Sequence, residues 1–446
     1  MVSRKFFGAA LSALILAGFL SFSSSGLAEK VKNGTPQPEE RSGRRRPYSS
    51  FSEAGESLSK YDTRDNKAKP EQEGDAKIEV GVVLAWDYSS YTGAHIEDSS
   101  QHKDKGHHWR GESELRRASL DVKSKLNKDW QAEMKVSFSN DEEPATEIED
   151  AYMEFSGWDH GDLIIGQAKE PFGLEGLASS EDTITIERSM ATSAFAPGRN
   201  PGLRLSGAIR KFTWAAGVYE ALDREDKRDT YALTGRLTIA PWQHKTRVLH
   251  LGLAGSVRDF GGEKYQIQER AEVHAAEKSV TGIETLADKV NLMGLEAAWV
   301  SGPISLQAEY MAVSVEADIG DDAAYKGYYL LGSYCLTGES RAYKKGTFDS
   351  IKPRARYGAF ELVVRSSVLD ASIPLSSKIP LPASGRENND HSRAGVKAAS
   401  LTLGMNYYFN RQVRLMLNSI HTNLSGNVSK DEDNASAVSF RAQYSH

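Results

Sequence analysis

Eight basic residues, Lys135, Arg204, Arg210, Arg236, Arg258, Arg365, Arg414 and Arg441, fall on the polar face of segments whose alternate positions are apolar. Arginine presents a planar fork of donors that matches phosphate-like oxyanions. Six acids share that face: Glu133, Asp150, Glu154, Glu296, Glu309 and Glu361. A water-filled wall carrying both signs with a modest arginine excess is chemistry for passing ions, and it leans towards anions. Catalysis fits less well. The chain holds no G-x-S-x-G or H-E-x-x-H motif, and nucleophilic or zinc hydrolysis needs such a constellation. His107-His108 lies beside Lys103 and Lys105 and reads as a solvated loop, with metal binding by the pair as the alternative. The single cysteine, Cys335, excludes an intrachain disulfide. No enzyme activity, metal, cofactor or nucleic-acid partner is expected.

The elements that must position these charges are strands. Trp130, Ala132, Met134, Val136 and Phe138 share one face, against Gln131, Glu133, Lys135 and Ser137. Tyr231, Leu233, Leu237 and Ile239 oppose Thr230, Thr234, Arg236 and Thr238. Leu401, Leu403, Met405, Tyr407 and Phe409 repeat the pattern. Period two means one apolar and one polar face. The segments run to about 10 residues, the length of a tilted bilayer-spanning strand. Connections alternate between short (127–129, 211–212, 242–245, 301–303) and long (92–108, 171–200, 261–287, 370–394). Short periplasmic turns and long outer loops are the pattern of an outer-membrane barrel.

We therefore expect a 16-stranded antiparallel transmembrane β-barrel. Its strands centre on 80–88, 115–125, 130–139, 148–155, 163–169, 203–209, 213–219, 230–239, 248–257, 292–300, 304–313, 327–335, 357–366, 399–409, 413–420 and 437–444. At this strand number a barrel encloses an aqueous channel. The connection 337–353 is long where alternation wants a short turn. The last strand ends on His446 rather than an aromatic. Arg116-Arg117 sets a parity problem. Leu120 and Val122 share a face with Arg116, so Arg117 should point inward, unless a bulge admits both.

Three regions precede and include the barrel. Residues 1–28 read as a cleavable signal peptide, with Arg4 and Lys5 before an apolar run over 8–20 and Gly26-Leu27-Ala28 at the cut. Residues 29–76 are polar, with an Arg44-Arg45-Arg46 cluster and no apolar period, and read as a disordered tail. The barrel domain spans 77–446. The segment 171–200 is too long for a plain connection. Its apolar residues (Phe172, Leu174, Leu177, Ile184, Ile186, Met190, Phe195) need a surface to cover. We expect it to fold inward against the wall and narrow the pore.

Several stretches resemble the phosphate-selective porin O and P family. They are Glu114-Leu115-Arg116-Arg117-Ala118, Ile148-Glu149-Asp150-Ala151-Tyr152, Gly166-Gln167-Ala168-Lys169-Glu170-Pro171-Phe172-Gly173-Leu174-Glu175, Ser179-Ser180, Glu187-Arg188-Ser189 and Ala194-Phe195-Ala196-Pro197-Gly198-Arg199-Asn200. The resemblance implies an outer-membrane homotrimer whose constriction holds phosphate beneath a ladder of arginines. It implies that Lys169, Ser179, Ser180 and Arg188 lie at that constriction, with Asp150 nearby and Arg116 and Arg117 on the facing wall. Arg199, Arg204 and Arg236 are further lumen candidates on parity or position. The expected function is passive diffusion of anions, phosphate or polyphosphate among them. The alternatives are a weakly selective general porin and a structural or adhesin barrel.

Overall fold

The computed structural model describes residues 77–95, 109–139, 145–159, 161–221, 230–374, 393–428 and 433–446. The expected signal peptide, the polar segment 29–76 and His107-His108 lie outside the described residues. Sixteen antiparallel strands close into a barrel. They are β1 (Lys77–Gly93), β2 (Arg110–Lys125), β3 (Trp130–Ser139), β4 (Ala145–Trp158), β5 (Gly161–Lys169), β6 (Arg199–Ile209), β7 (Phe212–Glu220), β8 (Tyr231–His244), β9 (Arg247–Tyr265), β10 (Thr285–Ser301), β11 (Ile304–Ile319), β12 (Ala323–Cys335), β13 (Ala359–Asp370), β14 (Val396–Tyr408), β15 (Val413–Gly426) and β16 (Asn434–Ser445). β16 returns to β1, with Tyr444 opposite Leu84. The terminal His446 extends this ladder, donating its N–H to Val82 O at 2.9 Å and accepting from Val82 N at 3.1 Å. Closure is thus a backbone matter and does not need a terminal aromatic.

The alternation sorts as expected. Leu203, Leu233, Leu237, Leu253 and Val257 are exposed on the outside, while Thr234, Arg236, Ser256 and Arg258 are buried inside. An apolar band on the outer surface suits lipid and would be costly in water. Gly166 sits at φ 127°, where an added Cβ would strike Ala151 O and Tyr152 of β4. Only glycine lets β5 approach β4 there.

Two β-bulges break the parity where the charge is densest. Between β1 and β2, Ala85 faces Arg117 and Asp87 faces Glu114, so Leu115 and Arg116 share a single partner position. The extra residue resets the alternation and both arginines turn inward. Between β3 and β4, Lys135 faces Asp150 and Val136 faces Ile148, which leaves Glu149 as the extra residue. Arg210 departs from its expected face for another reason. It occupies the two-residue β6–β7 turn at φ 56° and is exposed, so it lies outside the lumen wall.

Among the described residues, three connections enter the barrel. The segment 170–198 carries two short helices, α1 (Leu174–Leu177) and α2 (Met190–Phe195). Its Phe172, Met190 and Phe195 pack with the inward apolar residues Leu292, Met311 and Val313. Each such side chain contributes about 1.5–3 kcal/mol by burial, and this is why an inward-facing wall carries apolar residues at all. The segment 266–284 enters from the same end and pairs Gln268–Glu269 with Val280–Thr281. The long connection after β12 enters from the opposite end, as a hairpin of Tyr343–Lys344 and Thr347–Phe348 turning on Lys345 and Gly346. The short turn that alternation asks for at 337–353 is replaced by an inserted one.

Candidate functional site

The segment 170–198 hangs on the inner face of β11 to β16. Glu309 on β11 accepts hydrogen bonds from the Leu174 and Glu175 N–H groups, both at 2.7 Å, and from Tyr329 Oη at 2.6 Å. The first N–H groups of a helix lack partners within it, and here a wall carboxylate supplies them. Glu175 turns back to accept from Ser189 N at 3.0 Å and Ser189 Oγ at 2.7 Å, tying the two limbs together. Arg365 of β13, fully buried, donates to Glu187 O at 2.9 Å and ion-pairs with Glu175 at 3.3 Å and Glu272 at 2.8 Å. One guanidinium therefore joins two inserted segments. Arg414 donates to Thr183 O at 2.7 Å, and Asn418 accepts from Ile186 N at 3.0 Å.

With that side of the lumen filled, the open space lies against β1 to β8. A cavity of about 720 Å³ runs there, lined among others by Lys135, Asp150, Lys169, Ser179, Arg199 and Arg204. Lys169 Nζ donates to the carbonyls of Gly176 at 3.0 Å and Ala178 at 2.8 Å. Arg188 donates to Ala178 O at 2.9 Å and Glu175 O at 3.2 Å. The two cations thus converge on one carbonyl. Arg204 Nη1 donates to Lys169 O at 2.8 Å, and its buried Nε has no partner among the described residues. The buried Nε of Arg117 likewise has none.

Charge compensation separates the candidate cations into two groups. Arg116 makes a bidentate pair with Glu187, at 3.1 and 3.2 Å. Arg441 also holds Glu187 at 2.8 Å while bound to Asp87. Burial by itself raises the Glu187 carboxyl, but Arg116 and Arg441 outweigh it and hold that carboxyl well below the usual range. Arg199 is held by Asp150 and Glu149, both at 3.0 Å, and Glu149 also meets Lys135 at 3.2 Å. Arg236 pairs with Glu296 at 2.6 Å and donates to Gly346 O at 2.9 Å, so it supports the inserted hairpin. In contrast, Lys169, Arg188, Arg204 and Arg117 make no ion pair with a carboxylate among the described residues. Burial draws the Arg188 guanidinium below its ordinary value, against the pull of Glu175 and Glu187. Ser179 lines the cavity, whereas Ser180 is buried and donates to Glu181 at 3.3 Å.

The sequence-derived residues therefore split. Lys169, Arg188 and Arg204 are brought together beside Ser179, and Asp150 and Arg199 line the same cavity. Arg116 and Arg236 are consumed by ion pairs. Strict alternation missed Glu149, because its inward turn depends on a bulge. It also gave no role to Glu175 and Glu187, which lie in a loop without period.

Residues 88–446 match the family described as phosphate-selective porin O and P. Porin O of Pseudomonas aeruginosa is 26% identical over 374 residues, covering 76% of this chain and 81% of that protein. Among solved structures, an anion-selective porin from Comamonas acidovorans superposes with a TM-score of 0.53 at 12% identity, over 83% of this chain and 100% of that one. The outer-membrane channel DcaP of Acinetobacter baumannii gives 0.51 at 14%, over 83% and 97%. The closed wall, its apolar outer band and these relatives describe a porin of the bacterial outer membrane, a channel rather than an enzyme. With the match running from residue 88 to the C-terminus, the chain belongs to the phosphate-selective porin O and P family.

Proposed function

We propose that this porin gives passive diffusion of small anions, phosphate or polyphosphate foremost, and that its constriction lies where Lys169 and Arg188 meet beside Ser179. One observation carries this: these two cations, with Arg204 and Arg117, lack a carboxylate partner among the described residues, while Arg116, Arg199, Arg236, Arg258, Arg365 and Arg441 are each paired with one and Arg414 is spent on Thr183 O and Gln443 in the filled half of the lumen. An entering oxyanion can replace the carbonyl contacts of Lys169 and Arg188 with charge-assisted ones, which are roughly twice as strong as neutral hydrogen bonds. Ser179, which lines the cavity, would add a hydroxyl donor, whereas the Ser180 hydroxyl is turned to Glu181. Asp150 would accept a proton from a partly protonated phosphate and keep binding weak enough for release. Residues 1–28 would direct export, and the working assembly would be a homotrimer.

Titrating inorganic phosphate into chloride while recording single-channel current tests this. Phosphate should reduce chloride conductance in a saturable way. Current indifferent to phosphate would refute the central site. It would favour a second reading, a weakly selective general porin, for which the inward acids Glu133, Glu149 and Asp150 speak.

A further inference from the structure

Away from the lumen, the turns at the short-connection end carry an unusual pairing of residues. The β6–β7 turn is Arg210-Lys211, and the β8–β9 turn runs through Lys245 to Arg247. All four cations are exposed, and none pairs with a carboxylate among the described residues. Lys211 O accepts from Ala240 N at 2.9 Å and Lys211 Nζ donates to Pro241 O at 2.5 Å, so the two turns form one surface. On the strand side of each turn stands an outward aromatic, Phe212 at 57% exposure and Trp242 at 63%.

Aromatic rings settle at the boundary between acyl chains and headgroups. Cations one to three residues beyond them lie at the depth of lipid phosphates. Arg210 adds an independent hint. At φ 56° it occupies a left-handed turn position that glycine or asparagine fills with less strain, so its side chain is kept at a conformational cost. The geometry points to a binding patch for anionic phospholipid headgroups of the periplasmic leaflet, with Arg210, Lys211, Lys245 and Arg247 on the phosphodiester and Phe212 and Trp242 against the acyl chains. A free anion would use the cations alone. The outward aromatics favour a lipid.

Native mass spectrometry of the full-length porin in detergent tests this, with phosphatidylglycerol and phosphatidylcholine supplied in turn. Wild type should retain phosphatidylglycerol over phosphatidylcholine by about tenfold, and the variant R210Q/K211Q/K245Q/R247Q should bring that ratio close to one. Equal retention of both lipids by wild type, or an unchanged ratio in the variant, overturns the proposal. Glycerol 3-phosphate serves as a chain-free competitor, and displacement of the lipid at equal concentration would also overturn it. Should the quadruple variant fail to fold, the double variant K245Q/R247Q and a salt titration of wild type give the same reading, because screening weakens surface attraction. None of these outcomes depends on which ion the pore passes.

Discussion

Lys169→Ala is expected to weaken the block of chloride current by phosphate at least about tenfold, since a hydrogen bond to a charged group is worth roughly 1.5–3 kcal/mol. The ammonium lines the cavity, makes no ion pair with a carboxylate among the described residues, and holds carbonyl oxygens. Its loss removes charge from the point where the anion would shed water. Arg188→Gln should act in the same direction. The two changes should combine less than additively, because both side chains hold Ala178 O. Dose–response curves in single-channel records measure the shift. An unaltered midpoint in Lys169→Ala would separate this lysine from anion binding.

The second large effect lies on the opposite wall. Glu309→Ala removes the acceptor for two backbone N–H groups at the start of α1 and for Tyr329 Oη. Stranding each of the two buried N–H donors costs about 1–3 kcal/mol, so we expect a loss of roughly 2–6 kcal/mol in thermal unfolding. The inserted segment should also lose its fixed position, which raises single-channel conductance and current noise. Glu309→Gln keeps one acceptor oxygen and should fall between. A stable Glu309→Ala porin with wild-type conductance would mean that Arg365, Arg414 and Asn418 position the segment unaided.

What could be read from the sequence, and what could not, follows from range. The wall was legible because a strand repeats every two residues, so Leu233, Thr234 and Arg236 declare their faces locally. The two bulges were not, since one added residue at Arg116 or Glu149 changes parity without changing composition. The inward course of 171–200 could be anticipated from Phe172, Met190 and Phe195, which need a surface. Its anchors could not, because Glu309 lies 135 residues from Leu174 and Arg441 lies 254 from Glu187. The decisive feature of the site, which cations are neutralised and which are free, therefore becomes visible only once the strands are placed. Arg236 and Lys169 are both candidate lumen cations in the sequence, one by parity and the other by the family resemblance, yet one is bound to Glu296 and the other faces the cavity. The same reasoning explains why a lumen holding nearly as many acids as bases can still favour anions: most of the acids are already paired with arginine or lysine.

That last point is the central claim, and the reversal potential in a steep potassium chloride gradient measures it most directly. The uncompensated cations predict a potential of the sign set by chloride, reduced in magnitude by Lys169→Ala. A potential of the sign set by potassium would contradict the account.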